Sequence, residues 1–505
     1  MAFKFTLNSE DREFFALVRA ATFANPFSDD RAAIDLRITG LPPATPHEDR
    51  VNTLIRVVHD RMARLDGEGM ASIRQFSGED RNLMENAFLF DFFHQFLEPF
   101  DAFIPRQMAA GDNPIPTDFA GDALRLLGDR GFPRDQARRY FELCYQLRRA
   151  YYFIYHGLVG RSPSMKRLRR DLWNNVFTKD IGLYDAHLWN RMEDFSTLIL
   201  GGTGTGKGTA AAAIGRSGFI PFDEKKGCFA ESFVRSFIPI NLSQFSESLI
   251  ESELFGHKKG AFTGAVEDHE GVFDRCSPHG AIFLDEIGEV AVPLQIKLLQ
   301  VIQERRFTPV GSHAARRFHG RVIAATNQSL DRLRRNGRFR DDFFYRLCSD
   351  VIVVPPLSQR IGEDAGELDD LLAHTVSRIL GNPSDDLARM ARKVVDSRLG
   401  RDYPWPGNVR ELEQCVRRVL LKGTYEGDVK PAARDLLSRI SDGMASESWD
   451  AGELLAGYCK LLHQRHGTYE AVARRTRLDR RTVKKYIAQF DSDRAERGEA
   501  DDGAR

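Results

Sequence analysis

The stretch LILGGTGTGKGTAAAAIG (198–215) places Gly201, Gly202, Thr203, Gly204, Thr205 and Gly206 directly before Lys207, Gly208 and Thr209. It fits G-x-x-x-x-G-K, a turn whose backbone amides curl around phosphate oxygens while the lysine reaches the β- and γ-phosphates. An apolar strand precedes it and an alanine-rich helix follows, whose N-terminus adds positive potential. Gly208 stands where a Mg2+-binding Ser or Thr is common, and Thr209 comes one place late. A glycine-rich turn without ligand is the bland alternative, and the strand–turn–helix setting weighs against it. AIFLDEIGE supplies a partner, an apolar run ending in Asp285-Glu286. In phosphoryl transfer one carboxylate holds Mg2+ or its water, which suits Asp285, and another orients the attacking water, which suits Glu286. Asn327, closing VIAATN, could sense the γ-phosphate or that water. Asn241, closing FIPIN, could hydrogen-bond Glu286 and gate it; both asparagines could equally be strand-end turn residues.

Charge building up on the γ-phosphate calls for arginine, often from a second molecule. NGRFRDDFFYRLCSD (336–350) offers Arg340 and Arg346, although a surface helix with arginines paired to Asp341 and Asp342 fits the spacing as well. Arg410 lies in the first turn of a helix that starts after Pro-Gly-Asn, where a helical lid could aim it at a nucleotide.

These residues need a frame. Short apolar runs at 196–202, 236–243, 280–286, 320–327 and 349–357 alternate with helical patterns, predicting a parallel α/β sheet with helices on both faces. Residues 356–423 read as a helical lid, so that 157–355 and 356–423 form the two parts of one ATPase module. Residues 1–156 form an N-terminal sensory or regulatory block, mostly α or α+β. Within it 86–103 reads as one buried helix and 134–157 as another ending at Gly157, and the acidic pair, acceptor Asp and Lys of a receiver domain cannot be placed. His47, His59, His94 and His156 share no metal-ligand spacing. Residues 424–448 read as a linker and 491–505 as a disordered acidic tail.

A chain of 505 residues exceeds one core, so the protein is multidomain. Its 42% hydrophobic and 29% charged residues suit a soluble protein, and a net charge of zero makes any nucleic-acid patch local. Six scattered cysteines form no C-x-x-C pair, arguing against a disulfide framework or zinc cage and for a reducing cytoplasm. No apolar run reaches the roughly 18–20 residues of a membrane span.

HKKGAFTGAVED (257–268) sets Phe262 and Thr263 between Gly260-Ala261 and Gly264-Ala265, with charges outside. Core turn, ligand loop and tip for another protein are all open from composition. Taken with ESELFGH, the P-loop, FLDE, AATN, FRDDFFYRL and WPGNVREL, in this order, the chain resembles the AAA+ domain of sigma-54-dependent transcription activators (bacterial enhancer-binding proteins) over roughly residues 157–425. GRSPSMKRLR (160–169) is similar to that domain's entry segment. The resemblance implies a ring, a hexamer as a rule, with ATP and Mg2+ between protomers. Arg340 and Arg346 then match the family's trans arginines, Arg410 its second sensor, and Asn241 with Glu286 its nucleotide switch. Gly260 to Ala265 become the loop that contacts sigma-54, so that ATP turnover opens the holoenzyme's closed promoter complex. Two departures, 178–194 and 216–235, read as surface insertions.

The last helical unit, 449–490, reads independently as a helix-turn-helix, with Tyr469–Arg475 first and a second helix capped by Asp479 and running to Gln489. Seven cations against one acid within 474–485, among them Arg480, Arg481, Lys484 and Lys485, suit double-stranded DNA and resemble the Fis-like end of such activators. A solvated cationic helix is the bland alternative. The reading is thus a cytoplasmic, ATP-hydrolysing activator bound to upstream DNA. A nucleotide-gated DNA-binding regulator without polymerase remodelling is its rival, and an AAA+ remodeller of another target is disfavoured by GAFTGA and the DNA-binding end.

Overall fold

A computed structural model describes residues 5–400, 402–427, 436–445 and 449–496. The chain forms two compact units, 1–426 and 427–505. In the first, strands β1 (Thr197–Leu200), β2 (Phe237–Asn241), β3 (Ala281–Asp285), β4 (Arg321–Thr326) and β5 (Asp350–Val353) make one sheet in the order β2-β3-β4-β1-β5. All four pairings are parallel, as the apolar runs predict. Successive strand residues face opposite sides, and both sides are buried. Leu198, Ile282, Leu284, Val322 and Ala324 join one apolar cluster with the helix Val292–Glu304. Ile199, Phe283, Ile323 and Ala325 join another, which runs through the P-loop helix Lys207–Gly215 into the N-terminal helices.

The described part of residues 5–177 is helical. The helix Arg134–Gly157 ends at the predicted glycine. The apolar run 86–103 is two helices, Gly78–Gln95 and Leu97–Ala110, which meet at Phe96. Pro99, in the first turn of the second, is tolerated there but would break a continuous helix.

Both supposed surface insertions are corrected by the structure. Residues 216–235 contain a small hairpin pairing Phe222-Asp223 with Cys228-Phe229. Phe222, Phe229 and Phe233 are buried against the N-terminal helices, with Phe229 stacked on Tyr145 at 3.9 Å between ring centroids. In 178–194, Ile181 and Tyr184 are buried. One face of the helix Arg134–Gly157 also satisfies the insertion's backbone. Glu142 Oε1 accepts from Phe222 N at 2.9 Å, Gln146 Nε2 donates to Ser217 O at 2.9 Å, and Arg149 donates to Arg216 O at 2.9 Å and Gly218 O at 2.7 Å. All three side chains are buried, and burial pushes the Arg149 guanidinium below its usual range. Arg149 meets carbonyls just past the C-terminus of the P-loop helix, where a cation opposes the negative dipole end.

In the second unit, helices Ala451–His466, Tyr469–Thr476 and Arg480–Glu496 pack around Cys459, Leu462, Val472, Val483 and Ile487. The helix Leu436–Ala445 falls inside the supposed linker, Tyr425 at the linker's start is buried in the first unit, and residues 428–435 and 446–448 lie outside the described ones. The last helix passes Gln489 and takes in the first residues of the supposed tail, with Asp491 bonded to Lys460 at 2.7 Å. Residues 497–505 lie outside the described residues.

Replacing Arg149 with Leu strands the Arg216 and Gly218 carbonyls and is expected to cost about 3 kcal/mol. Urea unfolding of the full chain measures it, and a loss under about 1 kcal/mol would mean the contact is incidental.

Candidate active site

The P-loop follows β1, and Gly204 and Gly206 hold φ of 75° and 106°, a region glycine enters freely. Thr205 donates to Gly202 O at 2.9 Å. Lys207 is buried, its Nζ held over the loop by Gly201 O at 3.0 Å and Gly202 O at 3.2 Å. The acidic pair ends β3, beside β2 in a register that sets Asn241 opposite Asp285. Glu286 has φ 57° and ψ 45°, a left-handed conformation disfavoured for a side chain and stabilised by Glu286 N donating to Asp285 Oδ1 at 3.0 Å. From the end of β4, Asn327 Nδ2 donates to Thr203 Oγ1 at 3.0 Å and its backbone N–H to Glu286 Oε2 at 3.4 Å.

A cavity of about 580 Å3 gathers these groups at the carboxyl ends of the strands. Thr203 to Thr209, Asn241, Asp285, Glu286, Asn327 and Arg410 all line it. Asn241 does not bond Glu286: its Oδ1 accepts from Ser243 N at 3.0 Å and Ser243 Oγ at 2.8 Å. Arg340 and Arg346 lie outside this cavity. Arg340 pairs with Asp342 at 2.7 Å, the local pairing its spacing left open, and Arg346 is exposed.

Several contributors escaped the sequence reading. Leu158 and Val159, after the long N-terminal helix, form one wall, and Leu371, Thr375 and Arg378, on one face of the helix Glu367–Leu380, form another. That spacing shows an amphipathic helix but not what its face meets. Burial and nearby Arg378 lower the pKa of His374 on this wall. The loop 158–162 is pinned to the lid. Arg360 and Glu367 pair at 2.6 Å in the interior, and Glu367 Oε2 accepts from Arg161 N and Ser162 N at 2.6 and 2.9 Å.

Asn408 was missed as well. Its side chain accepts from Leu357 N at 2.8 Å and donates to Thr203 O at 2.9 Å, while Val409 N donates to Gly204 O at 3.0 Å. The lid is therefore hydrogen-bonded to the P-loop itself. A Cβ on Gly204 would stand 2.3 Å from Gly407 O and 2.8 Å from Arg410 Cβ.

Downstream of the helix Glu247–Phe255, the residues around Phe262 close into a tight loop. Gly260 N donates to Ala265 O at 2.8 Å and Ala265 N to Phe262 O at 3.0 Å, with Gly260 and Gly264 at positive φ. Lys258 and Asp268 pair across its base. Phe262 and Thr263 are exposed, Phe262 edge-on to His257 at 4.9 Å.

Residues 185–353 match the family model described as the sigma-54 interaction domain, spanning the P-loop, the acidic pair and the exposed loop. This chain carries a sigma-54 interaction domain. The domain is of the AAA+ ATPase class, as its sheet and P-loop indicate. The Nif-specific regulatory protein of Azotobacter vinelandii is 37% identical over 320 residues, 62% of this chain and 54% of that protein. The Sigma54-dependent transcriptional activator SfnR of Pseudomonas putida is 38% identical over 242 residues, 48% of this chain and 60% of that protein. A crystal structure of NtrX from Brucella abortus in complex with ATP is 19% identical at a TM-score of 0.40, covering 74% of this chain and 80% of that one. The chain spans about half the length of the curated relatives it matches. No described helix is long and apolar enough to cross a membrane.

In the sigma-54 interaction domain, Gly204→Ala forces a side chain into a left-handed position and against the lid. That strain, about 1–2 kcal/mol before the clash, is expected to weaken binding of a fluorescent ATP analogue about tenfold or more. Unchanged affinity would show that the lid yields without cost.

Proposed function

We propose that this chain is an ATP-driven activator of sigma-54 RNA polymerase that works as a cytoplasmic ring, hexameric by resemblance, and binds upstream DNA through its second unit. The supporting observation is that one cavity collects the P-loop, Asp285, Glu286, Asn327 and Arg410, while the same matched domain exposes Phe262 on a closed loop. Backbone amides from Gly204 to Thr209 cradle the phosphates, and Lys207 neutralises the β- and γ-oxygens. Glu286 orients the attacking water and Asn327, bonded to both Thr203 and Glu286, senses the γ-phosphate. Asp285 and the nucleotide's own oxygens would hold Mg2+, which when bound neutralises phosphate charge. Among the described residues no group of three or more His, Cys, Asp or Glu could hold a metal, so this dependence on nucleotide oxygens fits the site.

Arg340 and Arg346, which lie outside their own cavity, serve the neighbouring protomer's nucleotide. Asn241 acts as the switch by exchanging its Ser243 contacts for Glu286 as the phosphate state changes. The loop Gly260–Ala265 carries that change to sigma-54, with Phe262 the apolar contact and Thr263 the polar one. Residues 1–156 regulate, 157–355 and 356–423 make the ATPase, 424–448 links, and 449–490 binds DNA.

In the DNA-binding unit, Asp479 caps the last helix by accepting from Arg481 N at 2.6 Å. Arg481, Lys484 and Lys485 are exposed along it, and Arg480 is paired with Glu470 at 2.9 Å. Neutralising about five phosphates predicts a slope of about −4 to −5 for log K against log salt.

Glu286→Gln is expected to bind ATP normally and to lose roughly a hundredfold or more in steady-state hydrolysis; wild-type protein that fails to hydrolyse ATP would favour a nucleotide-gated DNA binder. Phe262→Ala should keep its ATPase within about twofold yet lose capture of sigma-54 in a transition-state nucleotide mimic. Full capture by that variant would remove the loop from the mechanism.

A further inference from the structure

A second cavity, of about 390 Å3, lies among the N-terminal helices. Its walls are largely apolar and aromatic, including Phe23, Leu89, Phe90, Phe93, Tyr151 and Trp173. That size and lining are those of a small-molecule site.

The polar groups on the wall restrict what would fit. Both arginines are already tied to carboxylates: Arg31 Nε donates to Asp35 at 2.7 Å, and Arg148 Nη2 to Asp101 at 2.6 Å. An anion would find no free cation there. His94 sits between the rings of Phe90 and Phe93, at 4.1 and 5.3 Å. Its Nδ1 is 2.7 Å from Phe90 O. A carbonyl only accepts, so Nδ1 carries the proton. Burial pushes the imidazole down to about 3, so it stays neutral and Nε2 is an acceptor. Among the described residues, no protein group bonds Nε2. Glu85 is a second acceptor on the wall; its Oε1 takes Tyr140 Oη at 2.7 Å and Gln136 Nε2 at 2.9 Å.

The same two helices also line the nucleotide cavity. The helix Arg134–Gly157 contributes Tyr140, Leu147 and Tyr151 to the aromatic cavity and Gly157 to the nucleotide cavity. The helix Pro163–Phe177 contributes Trp173 to the aromatic cavity and Met165 to the nucleotide cavity. Gly182 and Asp185, from the segment before the P-loop, complete the aromatic cavity.

We propose that this cavity binds an uncharged aromatic molecule bearing a hydroxyl or N–H donor, which bonds His94 Nε2, and that the two shared helices report its occupancy to the nucleotide cavity. The ligand class stands on the cavity alone; the coupling rests on the ATPase reading given above. A packed helix spanning both sites moves as a body, which is the physical basis for coupling.

The full chain is titrated with phenol and 2-naphthol, following tryptophan fluorescence, with Trp173→Phe assigning the signal. Saturable quenching is expected with 2-naphthol. 2-Methoxynaphthalene, which lacks the donor, and His94→Leu should each weaken it about tenfold, the worth of one buried hydrogen bond. 2-Naphthoate should not compete. His94→Gln keeps an acceptor and should retain most of the affinity, and Ala24→Phe, at the cavity wall, should block binding; thermal melts establish that each variant is folded. Absence of saturable binding by either phenol, or equal binding by His94→Leu and Ala24→Phe, overturns the site. Saturating 2-naphthol is further expected to shift the affinity for a fluorescent ATP analogue about threefold or more, within the usual range of coupling, and not to do so in His94→Leu. Quenching without that shift overturns the coupling and leaves the site. Wild-type protein that binds 2-naphthol but no ATP analogue overturns the ATPase reading instead.

Discussion

The first unit depends on a polar stripe inside an apolar interface. Glu142, Gln146 and Arg149 fall on one face of a long helix, and each satisfies main-chain groups of the segment that leaves the P-loop helix. Burying that segment without partners would cost several hydrogen bonds' worth of desolvation. With them, the chain after the P-loop can run through an aromatic interior and still return to the sheet at β2. The same helix then sets the phosphate loop, the hairpin around Phe229 and the N-terminal bundle in fixed relation.

At the P-loop the constraint is proximity. Asn408 and Val409 bond Thr203 and Gly204 directly, so the lid reads the conformation of the phosphate loop through two peptide groups. Glu286 in a left-handed conformation is a second local expense kept at the site, aligning its carboxylate with the Asn327 amide. Strain held where chemistry occurs, and compensated by the surrounding packing, is common in functional sites.

Much of this was legible in the residues. The strands read clearly because each is a short β-branched or aliphatic run bounded by turn residues, and the phosphate loop because its glycines are demanded by geometry. Asp479 announced the last helix through its capping chemistry. What escaped was non-local. Phe222, Phe229 and Phe233 lie among Asp, Glu and Lys, and nothing near them discloses that their partners are Phe141, Tyr145 and Phe153, far upstream. Leu371 and Thr375 show only a helix face. The break at Phe96 could have been found, since Pro99 is a poor residue for a helix interior and a good one for a first turn. The pairing of Arg340 with Asp342 is one of two readings the spacing left open.

The hairpin around Phe229 carries a consequence for packing. Its aromatic residues are useful only beneath the N-terminal helices, and those helices cover them only if the hairpin is there. Neither piece buries its aromatic surface without the other. A chimaera that pairs this ATPase sheet with a foreign front end would leave Phe222, Phe229 and Phe233 facing water, and would fail by aggregation before any question of signalling arose. The N-terminal helices and the segment 216–235, separated in the chain, are therefore one packing unit.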